Sequence, residues 1–260
     1  MTTSFVHSLQ SEWLKTRHSL ASWLVILGAF LIPVIMLAAR LLYPDRLPGD
    51  SAAPDFWEAF FSKCWQMMAL FLLPMGVVLA TTLLAQLEFR NNTWKQLHTT
   101  PQYLTTIFFS KLAVILLMML QFFILFNVGI ILAGFLPHAI YGVAFPKEAF
   151  PFDFFLLKNT WFFVDCLPII ALQYLISLQF KNFMIPLGAG IGLMVASLIA
   201  LEWKYGYLIP YTYCPYNFFE LRKVAGMGPQ GANVHLWALG YFAFFTILSY
   251  VLYITKKEKG

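Results

Sequence analysis

Inside the long apolar runs of this chain one carboxylate stands out, Asp165, beside Cys166 and upstream of Pro168. An ionisable residue in such a run points by default to function, here the lining of a path through the membrane. Its run is expected to begin near Thr160, which puts Asp165 only roughly 8 Å from the surface at 1.5 Å per residue. At that depth an interfacial acid that solvent can reach is an equal reading. Asp165 has no evident partner in the sequence. Gln121, Asn127 and Gln173 read as hydrogen-bonding groups between helices rather than as ligand contacts. No HExxH pair, no Glu pair within a run, no GxSxG and no GxxxxGK[ST] occurs. No catalytic residue and no metal ligand is therefore assigned, and ATP hydrolysis through the usual phosphate loop is excluded for this chain. The five His (His7, His18, His98, His138, His235) fall near the ends of runs. Cys64, Cys166 and Cys214 lack metal spacing. They fall toward one side, so a single disulfide is conceivable, but free small apolar side chains fit better.

The elements that must position these residues follow from composition. The chain has 260 residues, 60% hydrophobic and 11% charged, with mean hydropathy +0.71. A soluble domain carries charge on roughly a quarter of its residues. Runs here reach the ~20 residues that cross a bilayer as helix, and hydrocarbon forces such runs to satisfy their own backbone. The expected fold is all-α: a polytopic membrane protein with six transmembrane helices forming one domain over residues 1–260. The spans are expected at about Ser22–Leu42, Trp65–Leu87, Phe108–Gly134, Thr160–Leu178, Phe183–Leu201 and Leu236–Ile254. Residues 43–63 and 137–158 read as loops, and 202–235 as a large outer loop rich in Tyr, Trp and Pro. Pro33, Pro74, Pro168 and Pro186 lie inside spans and allow bends. Gly188, Gly192 and Ala196 recur every four residues, a small-residue face for close helix packing within the protomer or across a dimer.

Before the first span, Phe5, Val6, Leu9, Trp13 and Leu20 share one sector of a helical wheel. Residues 1–21 thus read as an amphipathic helix in the membrane interface, with Trp13 at headgroup depth and Lys15 and Arg17 beside it. A plain cytosolic lead-in is the alternative. A second polar island, 88–107, separates spans two and three. Asn91, Asn92 and Thr93 are capping types ahead of Trp94, Lys95 and Leu97, and Thr100 with Pro101 opens another helix. Trp94, Leu97, Pro101 and Leu104 fall three and four apart, so a short helix here presents an apolar edge to a membrane or a partner. Six spans put both termini on one side. With the N-terminus cytoplasmic, Lys15, Arg17, Arg90, Lys95, Lys111, Lys181, Lys256, Lys257 and Lys259 fall inside, in shorter and denser segments than the remaining cations. The formal charge of +5 then speaks for contact with the inner leaflet and not for nucleic acid.

The order of these parts resembles the permease subunit of an ABC-2-type (type V exporter) ABC transporter, in the group of lantibiotic-immunity and bacitracin-type permeases. SLQSEWLKTRHSLASWL is similar to the family's interfacial elbow helix. LEFRNNTWKQLHTTPQYLTTIFFSKL is similar to its cytosolic coupling region, with Glu88, Arg90, Asn92, Thr93, Lys95, Leu97, Pro101 and Lys111 at the family's places. Thr105 stands where Ser is more frequent. The resemblance implies a separate ATPase chain that binds this region through Glu88, Arg90, Asn92, Thr93, Trp94, Lys95, Leu97 and Pro101. It also implies a second permease copy or paralogue, a cell-membrane location with both termini cytoplasmic, and export of a substrate such as an amphipathic peptide, antibiotic or lipid. No cofactor is implied on this chain; ATP and Mg belong to the ATPase. A membrane scaffold subunit without transport of its own shares the same composition and topology.

Overall fold

A computed structural model describes residues 2–17, 19–90, 103–224 and 232–255. Its helices are α1 (Thr2–Thr16), α2 (Leu20–Leu42), α3 (Leu47–Ala52), α4 (Phe56–Met67), α5 (Leu73–Arg90), α6 (Leu104–Tyr141), α7 (Phe152–Gln179), α8 (Met184–Ile199), α9 (Tyr213–Leu221) and α10 (Val234–Thr255). No strand occurs among the described residues. Among the described residues six segments are long and apolar enough to cross a membrane: Leu20–Leu42, Phe56–Leu87, Leu104–Tyr141, Phe152–Gln179, Met184–Glu202 and Val234–Thr255. The second joins α4 to α5 through a π turn, Met68–Leu72. Pro74 follows one residue later, after Leu73. Its ring excludes the carbonyl four residues earlier, and a widened turn is one way for a helix to continue past that clash.

Several helices run further than hydropathy foretells. α4 begins at Phe56 inside the stretch read as a loop, and α7 begins at Phe152 rather than near Thr160. The cause is aromatic burial on one face of each extension. Phe61 meets Phe155 edge-on with centroids 4.6 Å apart, and Trp57 packs on Phe135 and Phe150. Apolar rings facing inward sustain helical backbone where the other face turns polar. α6, with 38 residues, is about 57 Å long at 1.5 Å per residue, well beyond the ~30 Å of hydrocarbon. It stops at Gly142, whose left-handed backbone (φ 63°) lets its N–H cap the His138 carbonyl.

α7 is the hub of the bundle. It packs on α10, α5, α6, α8 and α9, while α2 lies mainly against α6 and α5. Two thirds (67%) of the fourth span's apolar window is buried, against 22% for the first and fifth and 17% for the sixth, which puts those three at the periphery. Trp65 of α4 stacks on Phe162 of α7 at 3.7 Å with planes 7° apart, and both are fully buried. Where α6 crosses α2, a side chain at Gly129 would overlap the Pro33 ring, so the two backbones meet there at glycine. The start of α6 and the end of α10 lie at one end of the bundle, joined by a 2.8 Å hydrogen bond between the Thr105 and Tyr250 hydroxyls.

Candidate functional site

Along α7 the residues Trp161, Asp165, Ile169 and Gln173 follow at intervals of four and so share one stripe of the helix. Asp165, Ile169 and Gln173 are all 0% exposed. Because α7 starts at Phe152, Asp165 lies thirteen residues into the helix, about 20 Å along it. The carboxylate, which the sequence leaves equally as a path-lining or an interfacial acid, is fully buried and meets the very start of the sixth span. It also has partners. The Asn217 amide donates to one carboxylate oxygen at 2.8 Å, and His235 Nδ1 lies 2.7 Å from the other. The His235 ring is stacked on Trp161 at 4.1 Å, so Trp161 and Asp165 grip it from successive turns. His235 belongs to the first turn of α10 and Asn217 to α9; one carboxylate therefore ties three elements together. A buried carboxylate is tolerated only with such partners.

Two turns further, Gln173 does the same for a different set. Its amide nitrogen donates to Thr82 Oγ1 of α5 at 2.7 Å and to the Pro186 carbonyl of α8 at 2.8 Å. The Tyr211 hydroxyl donates to its oxygen at 3.5 Å. Gly190 of α8 faces this junction, and a side chain there would overlap both Val78 and the Gln173 oxygen. The segment that carries Tyr211 and Asn217 therefore runs beside the stripe, fastened at both ends. It falls within the 202–235 stretch read as a large outer loop, yet residues 210–218 are buried. Pro210 starts a 3₁₀ turn, where its missing N–H is harmless, and α9 follows from Tyr213. Its own hydroxyls satisfy its backbone: Tyr213 donates to the Tyr207 carbonyl, Tyr216 to the Leu201 carbonyl and Thr212 to the Gly206 carbonyl. Burial pushes the Tyr211 and Tyr213 phenols well above their ordinary range, so both act as neutral donors.

At the bundle end that holds the start of α6, α1 is built inside out. Ser8, Glu12 and Thr16 form its buried face, while Phe5, Val6 and Trp13 are exposed. Glu12 pairs with Lys15 on its own helix and lies 3.8 Å from Lys111 in the first two turns of α6. Ser22 donates to the Thr16 carbonyl, closing the elbow between α1 and α2. Arg17 is exposed. An apolar face turned away from the protein and a charged face turned toward it suit a helix lying on a bilayer surface. Gln86 of α5 donates to the Phe180 carbonyl at 2.7 Å, fixing the end of the second span to the α7–α8 connection. The expected partner-binding residues Asn92, Thr93, Trp94, Lys95, Leu97 and Pro101 lie outside the described residues, as do the side chains of Glu88 and Arg90.

A third polar cluster lies at the opposite bundle end. Arg40 near the end of α2 donates to His138 Nε2 at 2.8 Å and pairs with Asp50 of α3 at 3.0 Å. An arginine can only donate, so His138 accepts through Nε2 and its Nδ1–H faces Ser51 Oγ at 3.3 Å. Ser51 in turn donates to the Ala144 carbonyl. Of the small-residue row, Gly188, Gly192 and Ala196 are all exposed, and a side chain at either glycine would meet nothing within 4 Å. The three cysteines are free and buried. Among the described residues no group of three His, Cys, Asp or Glu is placed to hold a metal.

Six apolar helices, an amphipathic helix folded back against the third of them and a buried segment before the sixth, all among the described residues, define a multi-pass membrane protein. The model of the ABC-2 family transporter proteins matches residues 8–199, and the chain belongs to that family. No characterised protein and no solved structure matches it. The chain is thus the membrane permease subunit of an ABC-2 transporter, and the family implies an ATPase partner.

Proposed function

We propose that this chain is the membrane half of an ATP-driven exporter, of the lantibiotic-immunity and bacitracin-type group, with both termini cytoplasmic. ATP hydrolysis occurs on the partner ATPase, which receives residues 88–107. The observation that carries this reading is the family match over residues 8–199, which includes that stretch. Both borders of the stretch are anchored: Gln86 holds the end of α5, and Glu12 and Tyr250 hold the start of α6. A load applied between those borders reaches α1, α5, α6, α7 and α10 directly. Trp94 and Leu97 fill a cleft of the ATPase, while Arg90 and Lys95 pair with acids at its rim. The exposed row Gly188, Gly192 and Ala196 supports packing against a second permease copy or paralogue, since among the described residues nothing lies within 4 Å of a side chain placed at either glycine.

Asp165 takes a role other than the path-lining or interfacial one that its position in the sequence allows. With both oxygens bonded it acts as a lock, holding α9 and α10 against α7 until the spans move. The cargo is an amphipathic peptide, antibiotic or lipid. The test is Trp94→Ala and Leu97→Asp in the purified permease–ATPase complex, reading substrate-stimulated ATP hydrolysis and export. Both should fall while membrane insertion is unchanged. Full stimulation and export by both variants would refute the reading.

A further inference from the structure

A cavity of about 330 Å³ opens where α2, α3 and α4 meet, at the bundle end remote from the start of α6. Its floor is apolar, with Met36 and Ala39 of α2 among its residues, and its lining carries Arg40, Arg46 and Lys63 against a single acid, Asp50. That acid is already engaged by Arg40. The Arg40 guanidinium further lies against both the Phe56 and Phe60 rings, 4.9 and 5.1 Å from their centroids, and its Nε is buried with no hydrogen-bond partner among the described residues. Arg40 is 8% exposed, so it backs the cavity as a fixed charge. Arg46 and Lys63 are exposed and have no carboxylate partner among the described residues. Two positive charges thus remain uncompensated around a recess with an apolar floor, at the ends of two candidate spans.

We propose that this recess binds the phosphate headgroup of an anionic membrane phospholipid. Arg46 and Lys63 hold the phosphodiester, and Arg40 stands behind it. The acyl chains lie on the neighbouring face of α2, where Leu31, Ile35 and Leu42 are exposed. A free phosphate gains nothing from the apolar floor. The apolar floor and the place at the ends of spans select a ligand that brings its own hydrocarbon.

Native mass spectrometry of the full chain in detergent tests this, titrating phosphatidylglycerol, with phosphatidylcholine as the zwitterionic comparison and inorganic phosphate as competitor. Phosphatidylglycerol should be retained in preference to phosphatidylcholine. Arg46→Gln with Lys63→Gln should weaken its retention about 30-fold, the effect of two cations at a bilayer surface. Lys181→Gln with Lys204→Gln, which removes equal charge from exposed positions elsewhere, should leave retention unchanged. Equal retention by the first pair of substitutions overturns the proposal, as does an equal loss from the second. Displacement of the lipid by equimolar inorganic phosphate would mark an ion site and overturn it too.

Discussion

Replacing Asp165 by Ala should loosen α9 and the first turn of α10 from the hub helix. The carboxylate accepts from Asn217 at 2.8 Å and from His235 at 2.7 Å. Without it the buried Asn217 amide has lost its acceptor, which costs about 1–3 kcal/mol. His235 is 17% exposed on its side chain and recovers part of its bond from solvent, so its share is smaller. With the small void added, Asp165→Ala should cost about 3 kcal/mol, near the lower end for breaking a buried charged pair. Asp165→Asn keeps the shape and one acceptor but turns an amide toward the other donor, and should cost about half as much. His235→Ala strips a partner from the fully buried carboxylate and should cost about 3 kcal/mol, and the Asp165–His235 double-mutant cycle should return a coupling of about 1–2 kcal/mol. Detergent-denaturant unfolding followed by Trp fluorescence measures these values. Maleimide labelling of Cys214, buried on α9, reports the release of that helix. If Asp165→Ala shifts stability by less than about 0.5 kcal/mol, the level of an average interhelical hydrogen bond in a membrane, the lock is not there. Unchanged labelling of Cys214 would say the same.

Other substitutions probe the remaining joints. Gly190→Leu forces a side chain into Val78 and Gln173 and should cost about 1–3 kcal/mol, while Gly188→Leu should leave the unfolding of the isolated protomer unchanged. On the dimer reading, Gly188→Leu instead lowers the dimer fraction in light scattering. Glu12→Gln removes the carboxylate that α1 offers to Lys111 and should uncouple export from ATP hydrolysis more than it lowers stability, seen as a reduced ratio of cargo moved to ATP consumed. His138→Leu takes the acceptor from buried Arg40 and should cost about 1–3 kcal/mol; His138→Gln, which keeps an acceptor, should recover most of it.

The number of spans and the helical class were legible because hydrocarbon imposes them: long apolar runs have no other fold available. Span ends were less so. Hydropathy drops at Trp57–Lys63 and Phe152–Lys158, but the rings of Trp57, Phe61 and Phe155 bury one face there and the helix continues. The amphipathic character of α1 was readable from spacing. That its buried face would be Ser8, Glu12 and Thr16 followed only once α6 was seen to offer Lys111. The partners of Asp165 were hidden for a plain reason. Asn217 and His235 lie 52 and 70 residues away, on a Tyr- and Pro-rich stretch whose composition says loop while its tyrosines let it satisfy its own backbone and be buried. Gln173 was readable as an interhelical donor, but not that it would join α5, α8 and the Tyr211 segment at one point.

Labelling at position 95 with a membrane-impermeant reagent, in a chain whose three native cysteines are replaced and Lys95→Cys is introduced, tests the central claim most directly. In intact cells that cysteine should stay unlabelled. In inside-out vesicles it should label, and added ATPase partner should protect it. Labelling from the outside of intact cells would place residues 88–107 beyond the reach of any ATPase and contradict the account.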